Sequence, residues 1–285
     1  MSILVIGLSL AASLFVLSAG LTLIFGMLGV INFAHGSFYM LGAYLGFQVI
    51  EATGNFWLAL ILAPLVGALI GTAAEYLALR PVYDREHHDQ MLLTFGLILV
   101  LEEAVRAIWG LDYKEVSAPA LLSQPTQLLG ATVSTYRLFL IGFGALVAAL
   151  LFIALEKTRI GVIVRAASTD PEMVRGLGID VNRVRTFVFA FGTGLAALGG
   201  AVTAPLFPVE LGMGFSVIID CFIVIIIGGL GSIKGAVAAS LLLGLVRAIG
   251  YTAAPEWVDF ASYSLLILVL LTRPQGLFGR ERRLA

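Results

Sequence analysis

The chain has 285 residues, of which 60% are hydrophobic and only 12% charged, and its mean hydropathy is +1.02. A soluble domain draws about a quarter of its residues from Asp, Glu, Lys and Arg, and polar groups this scarce cannot cover a water-facing surface. The composition excludes an ordinary soluble enzyme and a β-barrel, whose segments are shorter and alternate in polarity, and predicts an all-α polytopic membrane protein.

The 48 residues from Ile3 to Ile50 contain no Lys, Arg, Asp or Glu. A single helix of that length would run roughly 72 Å, against a hydrocarbon layer of about 30 Å, so the block crosses at least twice. Its reversal falls in "GMLGVINF", where glycines permit the turn and Asn32 is expected to satisfy freed backbone groups. Spans are predicted near 3–28 and 34–51. The N-terminus has no basic stretch ahead of its apolar run, which reads as a retained span rather than a cleaved signal. Asn32, His35, Ser37 and Tyr39 stand where the second span begins. Polar groups there either line a wet path or tie the turn to backbone, the second being the expected role of His35.

Further spans are predicted near 56–79, 91–109, 136–155, 186–206, 215–231, 236–254 and 257–272, nine in all, within a range of 8–10. Thirteen basic residues fall in one set of loops: Arg80 and Arg85; Lys157, Arg159, Arg165, Arg175, Arg183 and Arg185; Lys234; and Arg273, Arg280, Arg282 and Arg283. The other set holds Lys114, with Arg137 at a span edge. This bias puts the N-terminus outside and the C-terminus in the cytoplasm.

Within the 91–109 span, Glu102, Glu103 and Arg106 stand at helical spacing. They line the outer mouth of a path or neutralise one another near the interface. Asp220, about five residues into its span, either meets a substrate ammonium or caps the helix start. Gly67, Gly71 and "GLAALGGA" (194–201) predict close helix contacts. An internal echo aligns 26–43 with 228–245, matching Gly26, Leu28, Gly29, Ile31, Ala34, Leu41 and Gly42 to Gly228, Leu230, Gly231, Ile233, Ala236, Leu243 and Gly244. It predicts a weak parallel repeat with broken helices near the centre, an arrangement found in transporters.

The longest polar stretch is 156–185, predicted to be a cytoplasmic loop; the loop at 110–135 is predicted to be external. In "STDPEM", Asp170 is an N-cap, Pro171 the first helical residue and Glu172 a first-turn acid. "GLG", ending at Gly178, stops the helix after two turns. Met173, Val174 and Leu177 form its apolar side, with Glu172 and Arg175 opposite. So short a helix needs a surface to pack on: a groove in a partner ATPase, or the lipid headgroups.

Five stretches carry a likeness: "GLTLIFGMLGVINFAHGSFYMLGAY" (20–44), "LTFGLILVLEEAVRAIWG" (93–110), "RAASTDPEMVRGLGIDVNRVR" (165–185), "IGGLGSIKGAVAASLLLGL" (227–245) and "RPQGLFG" (273–279). Over nearly its whole length the chain resembles the permeases of branched-chain amino-acid ABC importers. The resemblance implies a bacterial cytoplasmic-membrane subunit paired with a second, homologous permease. It also implies two cytoplasmic ATPases that bind the ATP, and an extracytoplasmic binding protein, for which the outer segments 110–135 and 206–214 offer a docking surface while reading by themselves as ordinary loops. It makes Asp170–Gly178, with Arg165 before it, the coupling helix. The expected function is import of branched-chain or other hydrophobic amino acids. The alternatives are a related importer for urea, short amides or small carboxylates, and an ion-coupled secondary transporter. No P-loop, metal site, cofactor or nucleic-acid partner is expected of this chain.

Overall fold

The computed structural model describes residues 2–83, 85–128 and 130–279; Arg280, Arg282 and Arg283 of the expected basic tail lie outside them. Helix α1 (Ser2–Leu28) runs 27 residues without a charge and ends where Gly29 takes φ +68°, a conformation that only glycine enters without strain. After the break, α2 (His35–Thr53) leads to α3 (Phe56–Ala74), which continues through one π turn (Glu75–Leu79) and a 3-10 turn (Arg80–Val82). Helix α4 (His87–Trp109) is followed by the four-residue α5 (Ala120–Ser123) and an antiparallel hairpin, β1 (Pro125–Leu128) and β2 (Ala131–Ser134). Then come α6 (Thr135–Lys157), α7 (Arg159–Thr169), α8 (Pro171–Gly176), α9 (Val181–Thr203), α10 (Met213–Gly228), α11 (Ile233–Ala253) and α12 (Val258–Thr272).

This is an all-α polytopic membrane protein. Among the described residues, six helices are long and apolar enough to cross a bilayer, and α10 is a shorter apolar one. Helices α1 and α9 form the centre: 61% and 72% of their apolar windows are buried, against 17% for α12 at the rim. Closeness at the centre depends on small residues. Gly42 of α2 lies against the Ala197 backbone of α9, Gly200 of α9 against Tyr39, Gly67 of α3 against Ala197, and Gly71 against Thr193. Without a hydrophobic drive inside lipid, such backbone-to-backbone approach is what holds helices together. Gly42→Leu should therefore separate α2 from α9. An unchanged Tm and expression level for that variant would contradict the packing.

The two chain breaks explain the internal echo. The aligned residues Gly29 and Gly231 both have positive φ, +68° and +78°, and the Gly231 backbone packs against that of Gly26. Beyond that the copies diverge. Ser232 accepts from the Gly235 N–H at 3.1 Å, so α11 starts at once. The first copy has Ala34 before α2, which offers no side-chain cap, and its break runs on to 34. The His35 ring lies against Gly20 and bonds the Leu17 carbonyl. Since α1 ends at Leu28, α2 begins about 12 Å inside that end of the bundle.

One end of the bundle, the Leu28 end, gathers four of the sequence's basic segments. The 3-10 turn Arg80–Val82 with Tyr83, α7 with α8, the 229–232 break and the 273–279 segment all lie there, tied by contacts such as Arg185 over the Tyr83 ring at 5.1 Å. The "RPQGLFG" segment folds back onto α10: Leu277 N–H donates to Ile227 O at 2.8 Å and Phe278 N–H to Gly228 O at 3.0 Å.

Candidate functional site

Two stations at opposite levels of the bundle hold the sequence's candidate residues. The first is a cavity of about 360 Å³ in the Ser2 half, reached from α1, α2, α10 and α11. Tyr39, Thr203, Glu210, Asp220 and Arg247 are joined by Ser13, Ser216 and Tyr251 as its polar residues, and Leu14 and Leu17 form part of its apolar wall. Tyr39 OH meets Thr203 Oγ1 at 2.6 Å, joining α2 to the end of α9.

Asp220 is the eighth residue of α10, whose N-cap is Gly212, so it does not cap that helix. It is held instead by a two-pronged pair with Arg247 of α11, Nη2 to Oδ1 at 2.6 Å and Nη1 to Oδ2. Arg247 also donates from Nε to Ser262 Oγ at 3.4 Å and lies 3.6 Å from Asp259. A planar guanidinium suits this fork. Arg247 was missed in the sequence reading although the signal was present, a lone cation inside an otherwise uncharged apolar run. Glu210 is the cavity's unpaired carboxylate among the described residues.

Asn32 and His35 are fully buried at the α1–α2 break, and Ser37 nearly so. The Asn32 side chain does not satisfy the turn, as the sequence suggested; neither of its amide atoms has a partner. Thr94 of α4 does that work, accepting from Phe33 N–H at 3.3 Å and reaching Ile31 O at 3.4 Å. A hydroxyl sixty residues away carries no local sequence signal. His35 Nε2 donates to Leu17 O at 3.0 Å, the backbone tie expected of it, and Nδ1 has no partner.

Glu103 and Arg106 do not face the bundle interior. They pair at 3.4 Å on the exposed side of α4, and Glu102 is half-buried beside them. The buried face of α4 is Gln90, Thr94, Ile98, Leu101 and Val105, one residue every third or fourth position, and the acids and Arg106 fall off that stripe.

The second station is the 156–185 segment at the Leu28 end. Asp170 Oδ1 accepts from Met173 N–H at 2.9 Å, capping α8, and Asp180 caps α9 through Asn182 and Arg183 N–H. Gly178, at φ +82°, turns the chain between them. Val174 is buried with Met27, Val164, Ala167, Val181 and Val188. Met173 and Leu177 do not share its direction: they are 64% and 74% exposed, one turn apart, beside exposed Glu172 and Arg175. The sequence reading had no helix at α7. Its signal was the buried spacing of Gly161, Val164 and Ala167. Arg165, exposed, donates to the Leu155 carbonyl and ties α7 to α6.

Residues 3–270 match the family model described as branched-chain amino acid transport system / permease component. The chain belongs to this family. Among its relatives, the high-affinity branched-chain amino acid transport system permease protein LivH of Escherichia coli K12 is 32% identical, over 96% of this chain and 94% of the relative. BraD of Pseudomonas aeruginosa is 31% identical over 97% and 95%. The probable branched-chain amino acid transport permease protein LivM of Methanocaldococcus jannaschii is 23% identical, over 92% of this chain and 79% of the relative. No solved structure is a significant match. The permease matches LivH-type relatives at higher identity than LivM-type ones, and its family is one of transport subunits rather than enzymes.

Proposed function

We propose that this permease is one membrane subunit of an ABC importer that carries small amino acids into a bacterial cytoplasm. It works beside a second homologous permease, two ATPases that bind ATP at the Leu28 end, and a binding protein that docks at the Ser2 end. In this reading all nine predicted spans cross, with the N-terminus outside, and the ATP is bound by the partner ATPases. The observation that carries this reading is α8. It is a capped, two-turn helix rooted by Val174 in the bundle while Met173 and Leu177 project from it. Exposed apolar side chains on a short helix among basic segments suit a groove in a soluble partner. In the importer cycle, closure of the ATPases displaces α8, and the attached helices re-pack so that only one end of the path is open.

The cavity supports the solute class. Two lining carboxylates, Glu210 and Asp220, stand against one guanidinium, Arg247, and the remaining wall combines apolar side chains such as Leu10, Leu14, Leu17 and Val217 with neutral hydroxyls. That balance favours a solute with an ammonium group and a hydrocarbon side chain over urea or a small carboxylate. Asp220 is already neutralised by Arg247, Glu103 faces outward and Glu102, half-buried, lies off the buried stripe of α4. The paired carboxylates that an ion-driven carrier uses are therefore not assembled here among the described residues. In this reading the path continues inward from Tyr39 past Ser37 and His35 in the first turns of α2 to Asn32 in the break before it.

The test is uptake by the assembled complex in proteoliposomes, supplied with loaded binding protein. Uptake of L-leucine is expected to need ATP on the Leu28 side and to survive collapse of proton and sodium gradients. Uptake driven by a gradient without ATP would refute the importer reading.

A further inference from the structure

The importer mechanism above leaves one fully buried acid without a task. Glu75 begins the π turn that interrupts the end of α3, where the Arg80 N–H reaches back five residues to Glu75 O. Its carboxylate is held by two hydroxyls: Tyr83 OH donates to Oε1 at 2.9 Å and Thr186 Oγ1 to Oε2 at 2.7 Å. Among the described residues no cation pairs with it. Tyr83 is secured in turn, since partial burial and the Glu75 charge push its phenol pKa up and keep it a donor, and Arg185 stacks on its ring.

Thr186 lies in the second turn of α9, which starts five residues earlier, directly after α8. Glu75 therefore fastens the root of the coupling segment to the α3–α4 turn. Four residues further on, at the end of the π turn, Leu79 is buried with Ile24, Val30 and Phe189. Val30 belongs to the α1–α2 break, and Phe189 packs edge-on against Phe38 of α2 at 6.4 Å. A continuous set of contacts thus leads from α8 through Thr186 and Glu75 to the start of α2.

Burying a carboxylate for stability alone is a poor choice, because an apolar side chain of the same size serves as well or better. What a carboxylate adds is direction: two strong acceptors that fix two donors at set angles. π turns also recur at functional positions in helices, where one extra residue lets the segment slip.

We propose that Glu75 is a positioning residue for coupling, locking the first turns of α9 to the α3 π turn so that movement of α8 reaches the α1–α2 break. This rests on the coupling reading of α8. It goes beyond it by assigning the link between α8 and the path.

The experiment measures L-leucine uptake and ATP hydrolysis together in the reconstituted complex. Glu75→Ala should keep basal ATP hydrolysis within twofold of wild type while uptake per ATP falls at least tenfold. Glu75→Gln, which can accept from one hydroxyl and donate to the other, should recover uptake per ATP to within threefold. If Glu75→Ala does not assemble, Thr186→Val removes the α9 half of the link alone and should give the same loss. Wild-type uptake per ATP in the assembled Ala or Val variant would overturn the proposal, as would a proportional fall in both activities, which marks a merely structural acid. Leu177→Asp in α8 serves as the control. If it leaves stimulated hydrolysis untouched, the coupling reading itself has failed, independently of Glu75.

Discussion

Replacing Arg247 by alanine is expected to destabilise the folded permease by roughly 3–5 kcal/mol, because it strands the Asp220 carboxylate in the bundle without its cation. The two side chains are only 15% and 13% exposed, so water does little to make up the loss. For a chain of this size such a change lowers Tm on the order of 10 °C, readable by thermal unfolding of the purified protein in micelles. Asp220→Asn with Arg247 intact should do less harm, since the guanidinium keeps Asp259 and Ser262 nearby. The double variant Asp220→Leu, Arg247→Met should recover most of the loss, as apolar replacements of buried ion pairs often do. If Arg247→Ala melts within 2 °C of wild type, the pair does not brace α10 to α11. The double variant also separates architecture from recognition. A stable protein with normal leucine uptake would free Asp220 of any role toward the solute and leave Glu210 as the cavity's acid.

The second large effect is expected at α8. Met173→Asp and Leu177→Asp alter side chains that this chain leaves in solvent, 64% and 74% exposed, so the Tm of the isolated permease should hardly move. In the assembled importer both positions are proposed to seat in an apolar groove, and a charge there must be desolvated without a partner. ATP-driven uptake should fall at least tenfold, together with ATPase recovery on affinity purification of the complex. Glu172→Gln, one residue away and likewise exposed but bringing no apolar side chain to the groove, should remain near wild type. Normal assembly and uptake by Leu177→Asp would remove α8 from the coupling path and favour a helix resting on lipid headgroups.

Much of this architecture is written in local chemistry. The uncharged block from Ile3 to Ile50 requires a reversal by length alone, and the glycine at 29 supplies it. Asp170, Pro171 and Gly178 fix both ends of α8 through bonds that span three or four residues. What the sequence hid is what partners across distance decide. Asn32 reads as the residue that serves the break, yet Thr94 serves it, because α4 happens to pass there. Glu103 and Arg106 read equally as pathway charges or as a mutually neutralising pair, and the stripe of Ile98, Leu101 and Val105, which turns them outward, decides for the pair. Asp220 reads as a lone carboxylate until α11 brings Arg247 beside it. Glu75 drew no notice because one acid at the edge of a span looks like an interface residue. Only the two hydroxyls converging on it reveal its place.

The fold-back of 273–279 also bears on how the molecule is made. The carbonyls of Ile227 and Gly228 receive their donors from Leu277 and Phe278, which the ribosome adds about fifty residues later. Until then the seam between α10 and α11 has no stopper, and residues 273–279 are the keystone laid after the vault is already standing.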